Sequence, residues 1–92
     1  MILSVINALY RGAYKIEVTF KNGETRLVDL EETLFHDRRK IFQPLQDKEY
    51  FKNFSIKFNT ITWDNEADFA PEYLYEIGIM DSKGQRKVSQ AV

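Results

Sequence analysis

Tyr14, Ile16, Val18 and Phe20 alternate with Lys15, Glu17, Thr19 and Lys21, and Asn22-Gly23 follows at once. Successive side chains of a strand point to opposite faces, so this pattern predicts a strand with one face buried. Asn-Gly suits the two positive φ values of a type I′ turn, so the chain is expected to reverse there. The returning strand should run from about Glu24 to Leu30. Ile2 to Tyr10 is rich in β-branched residues and reads as a further strand, joined to the hairpin by a turn at Arg11-Gly12. These three segments make an antiparallel sheet the starting point of the fold.

The middle of the chain is less regular. Glu31 to His36 is expected to form one helical turn that carries Leu34 and Phe35 inward. Arg38-Arg39-Lys40 reads as a polar surface bridge. Ile41, Phe42 and Leu45 are apolar, and Pro44 disfavours a helix at Gln43. Asp47 suits the N-cap of a short helix holding Tyr50 and Phe51. Phe54, Ile56 and Phe58 then alternate with Ser55, Lys57 and Asn59, which predicts a second half-buried strand. Asn59-Thr60 allows a tight turn, with Ile61 and Trp63 returning on the partner strand.

Asp68 to Pro71 reads as a helix start, because Pro is favoured at the first helical position. Glu72 falls where the helix dipole favours a carboxylate. Leu74 and Ile77 supply the apolar spacing, and Gly78 is expected to end the helix in a left-handed conformation. The order of elements predicts a small α+β domain over residues 1–80. Its antiparallel sheet has about five strands, with short helices covering one face. Residues 81–92 are polar and read as a loose tail.

Composition narrows the function. The 92 residues suffice for one domain with a modest core. The apolar fraction is 43% and the aromatic fraction 14%, which argues against disorder. Thirteen basic and fourteen acidic residues give a net charge of -1, without the basic excess usual in nucleic-acid binders. The chain has no cysteine, so disulfides, thiolate metal sites and cysteine nucleophiles are excluded. The apolar start Met1–Ile6 is too short for a signal segment and follows no basic residues. No stretch approaches a membrane span. A soluble cytoplasmic protein is expected.

Four elements in order carry a resemblance. They are Phe20-Lys21-Asn22-Gly23, Val28-Asp29-Leu30, Phe42-Gln43-Pro44-Leu45-Gln46-Asp47, and the stretch from Trp63 through Tyr75. The arrangement resembles domain-of-unknown-function family 2442, a family of small bacterial proteins, over about residues 2–77. That family's last motif runs W-x-N-G-x-D-x-A-P-x-x-L-Y, and Glu66 stands here at its usual Gly. If the position needs a positive φ, Glu66 is strained or the turn is rebuilt. The resemblance implies no chemistry, since no activity is established for the family. Some members are fused to a helix-turn-helix domain, for which Asp81–Val92 is too short. Others resemble one half of a two-gene pair, in the manner of toxin–antitoxin modules, which implies a partner encoded nearby.

Each candidate site has a plainer reading beside it. Asp64, Glu66, Asp68 and Glu72 offer oxygens to a divalent cation, but lack the order of a calcium loop. Helix capping and a solvated turn are the favoured reading of them. His36 beside Asp37 lacks the nucleophile and orienting group that a general base requires, and reads as a surface histidine. Arg38, Arg39 and Lys40 suit a phosphate or an acidic partner, or only solvent. Trp63 and Leu74 read as core. Tyr73 and Tyr75 read as core or as an aromatic patch beside acids, the composition of an interface. Open sheet edges offer pairing with a second copy or with another chain.

The expected function is therefore a non-enzymatic interaction module. It would be the regulatory or antitoxin-like partner of a protein encoded beside it, or a homodimer. Its contact surfaces would be an edge strand and Asp64–Tyr75. The alternative is a nucleic-acid-associated regulator acting through Arg38-Arg39-Lys40. An enzyme is disfavoured by one histidine, four isolated glycines and no zinc motif. No cofactor, metal or membrane partner is expected.

Overall fold

The computed structural model describes residues 3–80, so the expected tail at 81–92 lies outside the described residues. Three strands come first, β1 (Val5–Tyr10), β2 (Lys15–Phe20) and β3 (Thr25–Asp29). A helical turn α1 (Glu31–His36), a 3-10 helix (Lys40–Gln46) and a single turn α2 (Lys48–Phe51) follow. A short hairpin, β4 (Ser55–Lys57) and β5 (Thr60–Thr62), leads to α3 (Pro71–Ile77) and β6 (Ile79–Met80). The strands form two antiparallel sheets, one ordered β1-β2-β3-β6 and one made of β4 and β5. The architecture is α+β.

The alternation of β2 sets the core. Ile16, Val18 and Phe20 are fully buried on one face, with Val28 of β3 beside Ile16. Leu34, Phe42, Leu45, Phe51, Ile61 and Leu74 close over them from the helices and the small hairpin. Burying such a side chain is worth roughly 1.5–3 kcal/mol each, which is why this face is covered. Asp47 caps α2 as expected, accepting from the Glu49 N–H at 3.0 Å. Pro71 opens α3. No helix of the described residues is long and apolar enough to cross a membrane.

Several local expectations are corrected. Asn22-Gly23 is not a type I′ turn, because only Gly23 of the pair has a positive φ, 93°. Phe20 N–H donates to the Glu24 carbonyl at 2.8 Å, so Lys21-Asn22-Gly23 forms a three-residue loop. Asn22 Oδ1 holds it by accepting from the Glu24 N–H at 3.0 Å. The type I′ pattern falls instead at Phe58 and Asn59, with φ of 55° and 69°, between the paired Lys57 and Thr60. The chain thus reverses one residue early, and the alternation of Phe54, Ile56 and Phe58 is not a buried face. Phe58 stands in the turn and is 87% exposed.

Phe35 is half-exposed rather than inward, with its ring against the edge of Tyr14 at 5.5 Å. A six-residue helix has one narrow buried stripe, and Leu34 occupies it. The segment around Pro44 is helical after all, as a 3-10 run. Pro44 has no N–H to give, and the turns close on either side of it. Phe42 N–H donates to the Arg39 carbonyl and Asp47 N–H to the Pro44 carbonyl, both at 3.1 Å. β6 pairs with β3 through Ile79 and Met80, the last described residues, where the sequence shows no period.

Gly78 ends α3 in an extended conformation (φ -71°, ψ 142°), not a left-handed one. Its need for glycine is spatial. A Cβ there would stand 2.8 Å from Arg26 Cβ and 2.9 Å from the Leu74 carbonyl oxygen. The bare backbone lets α3 turn directly onto β3. Gly78→Ala is expected to destabilise the fold by about 1–3 kcal/mol through overpacking. Urea unfolding measures this, and an unchanged midpoint would show that β3 yields freely.

Candidate functional site

Two turns of this chain have the same construction. In the first, Phe20 N–H donates to the Glu24 carbonyl, Gly23 N–H to the Phe20 carbonyl, and Glu24 N–H to Asn22 Oδ1. In the second, Trp63 N–H donates to the Ala67 carbonyl, Glu66 N–H to the Trp63 carbonyl, and Ala67 N–H to Asn65 Oδ1. The residue in the place of Gly23 is Glu66, whose φ is 72°. The position does need a left-handed residue, and Glu66 adopts it rather than rebuilding the turn. A side chain there costs about 1–2 kcal/mol relative to a right-handed backbone.

Asn65 anchors this turn to the rest of the molecule. Its side-chain amide donates to the Ile41 carbonyl at 2.8 Å, and its backbone N–H to Tyr50 Oη at 3.1 Å. The turn therefore overhangs the 3-10 helix. Between them and α3 opens a cleft of about 480 Å³, lined by Thr33, Asp37, Arg39, Phe42, Asp68 and Tyr73 among others, with Glu66 on its rim. Its aromatic wall is a ladder. The Arg39 guanidinium lies 4.7 Å from the Phe42 ring centre, Phe42 stacks on Phe69 at 4.9 Å, and Phe69 on Tyr73 at 5.9 Å. Tyr73 is held by a 2.7 Å hydrogen bond between its hydroxyl and Thr33 Oγ1.

Arg39 is clamped to Asp37 by two parallel bonds, Nε to Oδ1 at 3.0 Å and Nη2 to Oδ2 at 2.6 Å. Arg39 also gives its backbone N–H to the same carboxylate. The guanidinium bonds and that N–H bring the Asp37 carboxyl down to about 2. The one basic group of the cleft is thus neutralised within it. Asp64, Glu66 and Asp68 are exposed around the turn, and Glu66 and Asp68 also border a second hollow beside Phe58. Among the described residues no three His, Asp or Glu side chains gather closely enough to hold a metal ion.

The structure brings together Arg39, Glu66, Asp68 and Tyr73 of the sequence candidates. Trp63 lies behind the wall, 4% exposed, its ring edge-on to Phe69 at 5.9 Å. Arg38 is exposed and does not line the cleft, and Glu72 is exposed in the first turn of α3. His36 lies on the surface beside a shallow acidic hollow with Glu31 and Glu32. Tyr75 belongs elsewhere. Its hydroxyl donates to Glu24 Oε2 at 2.6 Å, and Arg26 lies over its ring at 3.7 Å, pinning α3 to β3. The Tyr75 hydroxyl, then the Arg26 guanidinium, lower the Glu24 pKa. Sequence reasoning missed Asn65, Phe42 and Thr33 as parts of the site. The repeat of Asn two residues after an aromatic, in Phe20-Lys21-Asn22 and Trp63-Asp64-Asn65, was the available signal for Asn65.

Glu66→Gly is expected to raise stability by up to about 1 kcal/mol, the relief of strain less the added freedom of the unfolded chain. A urea titration that shows a loss instead would mean that the Glu66 side chain holds the turn. Asp37 titrates below its ordinary 3.8, so the Arg39 clamp contributes fully above that pH and is lost as pH falls through about 2. Carboxyl carbon shifts should show this low midpoint, and Arg39→Gln should return it toward 3.8.

No curated protein and no solved structure gives a significant match to the chain. Residues 5–79 match the family model described as a protein of unknown function, DUF2442. The match covers most of the chain and includes both turns, the 3-10 helix and α3. The chain belongs to the DUF2442 family.

Proposed function

We propose that this protein is a non-enzymatic interaction module that takes a basic segment of a partner protein into the Phe42–Tyr73 cleft. The carrying observation is the strained Glu66. A left-handed non-glycine residue persists where its surroundings over-determine it, and such positions cluster at sites of recognition. Here the strain places a carboxylate beside Asp68 above an aromatic wall. Arg39, the cation of the cleft, is already matched by Asp37, so a basic partner meets uncompensated acid. Phe42 and Phe69 are buried and back the wall, so the accessible ring is that of Tyr73, and a part-exposed tyrosine with a charged rim is a composition that protein interfaces share. The family resemblance supports a partner encoded beside this chain, with this protein as its regulatory, antitoxin-like half.

A nucleic-acid-associated regulator is the second reading, through Arg38, Arg39 and Lys40. It is weakened by the Asp37 clamp, which occupies one of the three cations.

Co-purification of the tagged full chain from its host, with identification by mass spectrometry, tests the proposal. One stoichiometric protein partner is expected. Glu66→Lys/Asp68→Lys should weaken the complex roughly tenfold at low salt and less at high salt, while Arg38→Glu leaves it intact. If Arg38→Glu instead abolishes binding, and the bound material is nucleic acid, the second reading replaces the first.

A further inference from the structure

We propose that β1 is a self-pairing edge through which two copies of this chain join into one continuous sheet. β1 stands at the end of the strand order β1-β2-β3-β6, and no strand pairs with its outer side, although the small hairpin of β4 and β5 lies close to it. Its six residues, Val5 to Tyr10, include no charge and no proline, the usual devices that blunt an edge.

The register shows which groups are open. Arg11 N–H donates to the Lys15 carbonyl of the neighbouring chain segment at 2.9 Å. Backbone direction alternates along a strand, so Leu9 and Asn7, paired with Glu17 and Thr19, also face β2. Ala8 and Tyr10 then point their N–H and C=O groups outward. Among the described residues neither outward N–H has a hydrogen-bond acceptor. At the other end the edge is closed, because Val5 N–H donates to the Asn59 carbonyl at 2.9 Å. The open stretch is therefore short and defined.

A second copy fits it. A two-fold axis through Leu9 sets Ala8 of each copy against Tyr10 of the other, in antiparallel register. Both outward amides of both copies then find carbonyls. Leu9 meets Leu9, and Arg11 meets Asn7, so no like charges oppose each other. Leu9 is half-exposed and heads a row with Glu17, Leu27 and Ile79 across the face away from the core. The pairing would continue that row into the other copy. A head-to-tail arrangement of β1 on β6 would leave one open edge at each end and would not close. The isologous contact closes on itself. It uses no residue of the cleft and stands independently of the partner proposed there.

The test is the mass of the full chain in solution, by sedimentation or light scattering, with amide exchange read residue by residue. A dimer is expected, with exchange at Ala8 and Tyr10 slowing as concentration rises. Leu9→Lys should give a monomer with unchanged circular dichroism and melting, since Leu9 is not in the core. Mixing Leu9→Lys with Leu9→Glu should restore pairing between the two variants. A monomeric wild type at the highest attainable concentration overturns the proposal. So does a dimer that survives Leu9→Lys with Ala8 and Tyr10 still exchanging freely. Protection of those amides only when a different protein is bound also overturns it, and assigns the edge to a foreign strand.

Discussion

The hydrogen bond from the Trp63 indole N–H to the Phe51 carbonyl, 2.8 Å long and buried, is the contact on which much of the rest depends. It fixes an indole in the centre of the core, with Phe51, Phe54 and Phe69 around it. An indole N–H buried without an acceptor would cost about 1–3 kcal/mol, so the ring has one comfortable seat. The same residue's backbone closes the turn that carries Glu66. Core and cleft therefore share one residue. A shift of Trp63 would move Phe69, and with it the stack of Phe42 and Tyr73 that forms the wall.

The parts of the fold legible in the sequence were those with a strict period or a local cap. Tyr14, Ile16, Val18 and Phe20 point inward as their alternation requires. Asp47 and Pro71 begin helices for reasons confined to a few neighbouring atoms. Where the outcome depended on distant packing, the reading failed. Phe54-Ser55-Ile56-Lys57-Phe58 alternates as well as β2 does, yet the small hairpin has no second layer over Ile56, and a turn takes Phe58. Gly78 looks like a conformational stop in the sequence alone, whereas its reason lies in Arg26 and Val28, dozens of residues away.

The site was half legible. Its acids and Tyr73 stood out by composition, but Tyr75, two residues on, turns to a different neighbourhood because α3 presents the two to different faces. Phe42 and Thr33 gave no local sign, since only the tertiary fold stacks them beside Phe69 and Tyr73. The left-handed Glu66 is the exception in the other direction. The departure from the family's glycine was visible in the sequence, and the backbone at that place proved to keep the glycine conformation.

The separation in sequence between α3 and β3 has a consequence for how the molecule assembles and comes apart. β1, β2 and β3 follow one another with tight turns, so their meander needs little loop closure. Arg26 and Tyr75, by contrast, meet across 49 residues. Contacts of such separation form late, after the entropy of the long loop has been overcome. The end of α3 and residues 78–80 are therefore expected to dock late. When they lift, the edge of β3 is bared, but Arg26 and Asp29 stand on it as charged gatekeepers against aggregation. The molecule can open at this end without becoming adhesive there.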